Sequence, residues 1–258
     1  MEGEPLLLRE ILPEHVASWE TAEDRPDAAL FPEEELLVQG AVETRRREFS
    51  TGRYCARKAL EQLGHSEPQP VLRGARGTAL WPPAVRGSIT HCSGYRAAAV
   101  ARMCEVAAVG IDAEPNVPLS PEVLRMVALP PERELTCRLL AEASAVRWDK
   151  LLFSAKESVY KVWYPLTGLP LNFTDAQLGF DPESGTFAAR LLPHVPRVPG
   201  VPRELTGRWA VRGDLIVTAI TLPAPGAAGR PGARATASSR RPGELPVAKV
   251  RTPLVTPR

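Results

Sequence analysis

The chain has 258 residues, enough for one large domain or two modest ones around a sizeable core, with 44% hydrophobic and 24% charged residues as in ordinary globular proteins. Its net charge of +2 is unevenly held: residues 224–258 carry seven bases against Glu244, which leaves 25 bases and 29 acids in the first 223. That mildly acidic body excludes a nucleic-acid reading based on overall charge, and no run approaches the roughly 18 to 20 apolar residues that cross a bilayer.

Met1 to Pro13 holds one short apolar cluster, broken by Arg9 and Glu10, without a signal-peptide layout. Glu33 to Gln39 reads as helix, and Glu43 to Leu63 carries apolar residues at helical spacing, with Gly64 as a stop. Glu67 to Gly87, rich in proline and glycine, reads as loop with short extended pieces. Strands are predicted over Gly87–His91, Tyr95–Arg102 and Val106–Ala113, followed by helices over Pro121–Met126, Pro131–Glu142 and Asp149–Trp163, the last closed by Pro165 and Gly168.

Four further strands are expected over Ala176–Phe180, Thr186–Leu192, Arg208–Val211 and Leu215–Leu222, with Arg212-Gly213-Asp214 as a hairpin turn. From Pro223 the composition turns to Pro, Gly, Ala, Ser and Arg with no hydrophobic period, and 223–258 is expected to be disordered. The pattern predicts an α+β protein of two halves, 1–107 and 108–222, each pairing antiparallel strands with helices. The four cysteines lack a CxxC pair, which disfavours a disulfide framework or structural zinc and fits a reducing cytoplasm.

Several residues carry candidate chemistry. Asp112 and Glu114, at i and i+2 on a strand, share a face at the end of an apolar run. Two such carboxylates repel unless a proton or cation lies between them, so the pair is either a solvated strand end or part of a magnesium site. Glu157 and Lys161, one helical turn apart, form either a surface ion pair or a metal ligand beside a phosphate-neutralising lysine. The bases Arg45, Arg53 and Arg57, with the Arg73-Gly-Ala-Arg76-Gly loop, form either a solvated face or a cradle for a phosphorylated small molecule. Neither GxxxxGK[ST] nor GxGxxG occurs. His91-Cys92 is a weak nucleophile candidate, since neighbours on a strand point to opposite faces.

In order, Arg45-Arg-Arg-Glu-Phe49 with Arg53-Tyr-Cys-Ala-Arg57, Gly87-Ser-Ile-Thr-His91-Cys92, Gly110-Ile-Asp112-Ala-Glu114, and Trp148-Asp-Lys through Phe153-Ser-Ala-Lys156-Glu157-Ser-Val-Tyr-Lys161 resemble the Sfp-type 4′-phosphopantetheinyl transferases, in their actinobacterial and EntD-like branch. The resemblance covers about residues 40 to 222. It implies a monomer with two similar α+β halves in pseudo-twofold arrangement and the active site between them. The implied reaction moves the phosphopantetheine arm of coenzyme A to a serine of an apo acyl or peptidyl carrier protein and releases 3′,5′-ADP.

Under the resemblance, Asp112, Glu114 and Glu157 hold Mg²⁺, a water completing the coordination beside the small Ala113. Glu157 takes the serine proton, directly or through a metal-bound water. Lys161 assists the leaving group, and Lys156 contacts phosphate. Arg45, Arg53, Arg73 and His91 bind coenzyme A phosphates, and Val117, Leu119, Val123, Leu124 and Met126 meet the carrier. A Mg²⁺-dependent phosphohydrolase and a non-catalytic carrier-binding module are the competing readings. The intact acid set disfavours the second.

Overall fold

A computed structural model of the chain describes residues 7–226. The first half contains helix α1 (Leu7–Ile11), strand β1 (Ala17–Thr21), helices α2 (Pro32–Leu36) and α3 (Glu43–Gln62), a small hairpin of β2 (Leu72–Arg73) and β3 (Ala79–Leu80), and strands β4 (Val85–Cys92) and β5 (Tyr95–Arg102). Strands β1, β5 and β4, in that order, form an antiparallel sheet. Strand β5 is alanine-rich because both its faces are covered. Ala98 and Val100 meet Cys55, Ala59 and Leu60 of α3, while Ala97, Ala99 and Ala101 face a second core containing Leu7, Leu8 and Ile11.

The second half contains β6 (Val106–Pro115), helices α4 (Pro121–Val127), α5 (Pro130–Glu142) and α6 (Trp148–Thr167), and strands β7 (Ala176–Asp181), β8 (Thr186–Leu191), β9 (Glu204–Arg212) and β10 (Leu215–Pro223). The strands form one antiparallel sheet in the order β6-β10-β9-β8-β7. The protein is thus α+β, with antiparallel sheets packed by helices. Among the described residues, no helix is long and apolar enough to cross a membrane.

The two sheets meet along β4 and β6 through side chains. Ser88 and Thr90, on one face of β4, accept hydrogen bonds from the backbone N–H groups of Ile111 (3.2 Å) and Ala113 (3.0 Å), and Arg86 Nε donates to the carbonyl of Ala107 (3.2 Å). The edge of β6 that β10 leaves unpaired is satisfied in this way. Apolar residues from both sides (Ala99, Val109, Ile111, Val217) fill the space behind the seam.

Helix α6 lies on β6 and β10, buried by Trp148, Leu151, Leu152, Ala155, Val159 and Val162. Its approach depends on Gly110, where an added Cβ would stand 2.3 Å from the carbonyl oxygen of Ser158 and 2.8 Å from Val162 Cγ2. A buried hydroxyl cluster fixes its register: Thr218 Oγ1 lies 3.0 Å from Ser154 Oγ and 2.7 Å from Ser158 Oγ, and donates to the carbonyl of Ser154 (3.1 Å).

Three expectations are corrected. Met1 to Pro13, read only as a broken apolar cluster, contains α1, and β1 follows it without having been predicted; Glu20 accepts from the N–H groups of Leu8 and Arg9 and from Tyr95 Oη. Pro165 does not close α6: it sits in the last turn, where its missing N–H costs a single helical bond, and Gly168 in the left-handed region ends the helix. Disorder does not begin at Pro223, since Pro223 ends β10 and the N–H of the buried Ala224 donates to the carbonyl of Glu105 (3.0 Å). The rest of that prediction, 227–258, lies outside the described residues.

Candidate active site

A cleft of about 850 Å³ runs between the halves. Helix α3 lines it with Arg45, Glu48 and Arg53, the β2–β3 hairpin with Arg73 and Arg76, and β4 with Arg86 and His91. The opposite wall is α6, which contributes Glu157, Tyr160, Lys161 and Tyr164 at spacings of three and four residues along one face. One wall is therefore strongly cationic, as suits a polyphosphate.

Arg53 is buried, with its guanidinium 4.2 Å from the centre of the Phe49 ring, and its Nε has no hydrogen-bond partner. The nearest acid, Glu34, stands at 3.9 Å. Burial, the largest effect, pulls the Arg53 pKa down to about 10. A buried cation so weakly compensated favours an incoming anion. Arg57, one turn further on, is instead committed to Glu34 (3.0 Å) and the carbonyl of Ala29.

In the hairpin, Gly77 (φ +82°) lets the chain turn back over the Arg73 guanidinium, which an added Cβ would meet at 3.2 Å. Arg76 stands over Tyr164, 5.9 Å from its ring centre, and Tyr164 stacks on Tyr160 (5.7 Å, 15°). At the cleft's edge Arg45 Nη1 donates to Glu48 Oε2 (3.1 Å) and lies 2.6 Å from His91 Nε2, while His91 Nδ1 lies 3.5 Å from Glu48 Oε2. Partial burial, then the charge of Arg45, holds the imidazole of His91 below its usual value.

The acids come from β6 and α6. Asp112 is buried, its Oδ1 accepting from Lys161 Nζ (2.8 Å) and Thr90 Oγ1 (3.3 Å), and Lys161 also donates to the carbonyl of Ile111 (2.9 Å). Glu114, further out on the same strand, pairs with Lys150 (3.3 Å). Burial first, and the charge of Asp112 second, push both Glu114 and Glu157 above the ordinary carboxylate range. These groups thus sense one another across the gap that Gly110 closes. Lys161, predicted beside Glu157, is paired with Asp112.

The acids of β6 and α6 offer donors for a hard divalent cation. All the candidate donors are carboxylate oxygens, as such a cation prefers, and Asp112 Oδ2 is buried with no hydrogen-bond partner. Among the described residues, no three acidic, histidine or cysteine side chains are gathered closely enough to cage an ion outright. The donor chemistry and the orphaned oxygen fit a metal ion, and side-chain rotation would have to complete the set.

Lys156 is a correction. It is buried and points away from the cleft, donating to Glu132 Oε2 (2.7 Å) and to the carbonyls of Val127, Phe173 and Ala176. Its three protons are already outnumbered by acceptors, so it holds α6 to α5 and β7 rather than a phosphate. Cys92 is also unsuited to attack: burial, then Glu114 and Asp112, push its thiol up to about 12. Among the residues expected to meet a carrier, Val117 and Met126 are exposed, whereas Leu124 packs on the core.

A second recess of about 420 Å³ opens beside Glu157, lined by Met126, Tyr160, Leu171 and Phe173. The site residues missed from sequence are Glu48, Thr90, Tyr160 and Tyr164. The three- and four-residue spacings Arg45/Glu48 and Tyr160/Tyr164 were available signals, while Thr90 offered none, since only tertiary packing sets it beside Asp112.

Comparison with known proteins agrees with this geometry. Residues 33–101 match the 4′-phosphopantetheinyl transferase N-terminal domain, and residues 108–199 match the 4′-phosphopantetheinyl transferase superfamily. The chain is 55% identical over 207 residues to 4′-phosphopantetheinyl transferase Svp of Streptomyces mobaraensis, covering 79% of this chain and 83% of that protein. It is 43% identical over 225 residues to PptT of Mycobacterium tuberculosis (84% and 98% covered) and 44% identical over 228 residues to Npt of Nocardia iowensis (83% and 99%), both also named 4′-phosphopantetheinyl transferases. A basic wall and an acid–lysine set facing each other across two sheets, with matches of this extent on both, make the chain a member of the 4′-phosphopantetheinyl transferase superfamily, in its actinobacterial Sfp-type branch.

Proposed function

We propose that the protein transfers the 4′-phosphopantetheine arm of coenzyme A to a serine hydroxyl of an apo acyl or peptidyl carrier protein and releases 3′,5′-ADP. The observation that carries this reading is the meeting, in one cleft, of Arg45, Arg53, Arg73 and His91 with Glu157 and Lys161, the lysine being paired in turn with the buried Asp112. The basic wall holds the phosphates of the nucleotide end. The pantetheine arm, a flexible chain with amides and a thiol, fits the recess between Met126, Tyr160, Leu171 and Phe173.

The serine oxygen bonds to the phosphorus that bears the arm, and the bond from that phosphorus to the bridging oxygen of ADP breaks. Glu157 receives the serine proton, a role favoured by its raised pKa. Lys161, fixed by Ile111 and Asp112, neutralises charge on the departing phosphate. Asp112, Glu114 and Glu157 would hold Mg²⁺, whose chemistry when bound is to neutralise pyrophosphate charge. We place the protein in the cytoplasm as a monomer. Its carrier contacts the surface around Val117 and Met126.

The test is intact-mass measurement of an apo carrier protein incubated with the enzyme, coenzyme A and Mg²⁺. The expected result is a gain of one phosphopantetheine, abolished by Glu157→Ala and by EDTA. Consumption of coenzyme A with no mass gain on any carrier would reject the transferase reading.

A further inference from the structure

The ring of contacts among Arg45, Glu48 and His91 has a chemical implication for any phosphate that enters beside it. A guanidinium has no acceptor, so the 2.6 Å contact from Arg45 Nη1 requires His91 Nε2 to present a lone pair. The ring proton of a neutral His91 then sits on Nδ1, facing Glu48 Oε2 at 3.5 Å. Glu48 is the only acid among the charges that act most strongly on the imidazole: Arg45 and Glu48 from α3, Arg96 from β5 and Lys161 from α6. In this state His91 cannot bind a phosphate oxygen through Nε2, because two lone pairs would meet.

We infer that Glu48 is a positioning residue which lets His91 take up a proton as phosphate enters, so that coenzyme A binding consumes a proton from solvent. This rests on the proposed use of coenzyme A. The phosphate draws Arg45 from Nε2, a solvent proton occupies the vacated lone pair, and Nε2–H donates to the phosphate. Nδ1–H is held by Glu48, whose negative charge offsets the new positive charge on the ring. No other bond changes. The imidazole is held below its usual value in the free protein, so at pH 7.5 it starts neutral and must gain the proton on binding. Affinity therefore rises as pH falls and declines as pH climbs through the value of the complex.

The experiment is calorimetric titration of the full chain with coenzyme A at pH 7.5 in EDTA, in buffers of different ionisation enthalpy. At this pH a phosphate monoester is already largely dianionic. The wild type is expected to take up about one proton more than His91→Gln, and Glu48→Gln to lose at least about half of that uptake. Removing one acid from a cationic cleft would by itself tighten anion binding, so the proton count, rather than Kd, reports the positioning role. Equal counts for the wild type and His91→Gln would overturn the coupling, and an unchanged count in Glu48→Gln would overturn the role of Glu48. Circular dichroism establishes that the variants are folded. If the wild type gives no coenzyme A binding either in EDTA or with Mg²⁺ added, the reading beneath the inference fails, and the inference falls with it.

Discussion

At Gly110 one hydrogen atom in place of a side chain decides where helix α6 can lie. A Cβ there would push on the Ser158 carbonyl and on Val162, moving Glu157 and Lys161 away from Asp112. Gly110→Ala is expected to cost about 1–3 kcal/mol in urea denaturation and to lower kcat more than the KM for coenzyme A. Glu157 shows the opposite trade. A carboxylate whose pKa is raised on folding contributes stability below its unfolded value, and that contribution is lost as pH rises through the folded value. At pH 7.5 its charge therefore weighs against the fold. Glu157→Gln is expected to abolish transfer yet raise Tm, by about 2–4 °C for each kcal/mol relieved, in a thermal melt without metal. An unchanged or lower Tm would count against that account. Asp112 and Glu114 were legible as a pair because strand periodicity puts i and i+2 on one face, but their lysine partners lie about 36 and 49 residues away in sequence and left no local sign.

Helix α6 carries two jobs on neighbouring residues, Lys156 turned into the core and Glu157 into the cleft. Helical periodicity showed the helix itself and the shared face of Glu157 and Lys161. It could not show which of two adjacent charges points inward, because that depends on Glu132 of α5, which is fully buried and also accepts from the N–H of Leu178. Lys156→Met is expected to leave Glu132 with a buried, uncompensated charge and to cost about 3–5 kcal/mol. The protein that remains folded at low temperature should keep its KM for coenzyme A, whereas a phosphate-binding lysine would give a raised KM and an unshifted denaturation midpoint. The long helices and most strands were readable from periodicity and breakers. Helix α1 and strand β1, each of five residues, were not: so short a segment has no period to read, and β1 is specified by its register against β5.

Across the molecule, the two sheets share a core and a side-chain seam, and both are needed to shape the cleft. The order of strands and helices suggested two halves but could not predict that α1, at the start of the chain, would pack on β9 and β10 near its end. Residues 227–258 hold all seven bases of the tail against Glu244. A chain ending at Gly226 is expected to keep its Tm and its KM for coenzyme A. Its KM for an acidic carrier should rise several-fold at low salt, with the difference vanishing at high salt as screening removes the attraction. A KM that is equal at low salt would rule out a docking role. The chain passes from the first sheet to the second at Met103-Cys104-Glu105, a turn in which Met103 and Cys104 are exposed. Ser88, Thr90, Arg86 and the docked α1 span the junction without any covalent link there. A chain cut at that turn is therefore expected to hold together through this seam and shared core, with activity then reporting whether its two pieces stay joined.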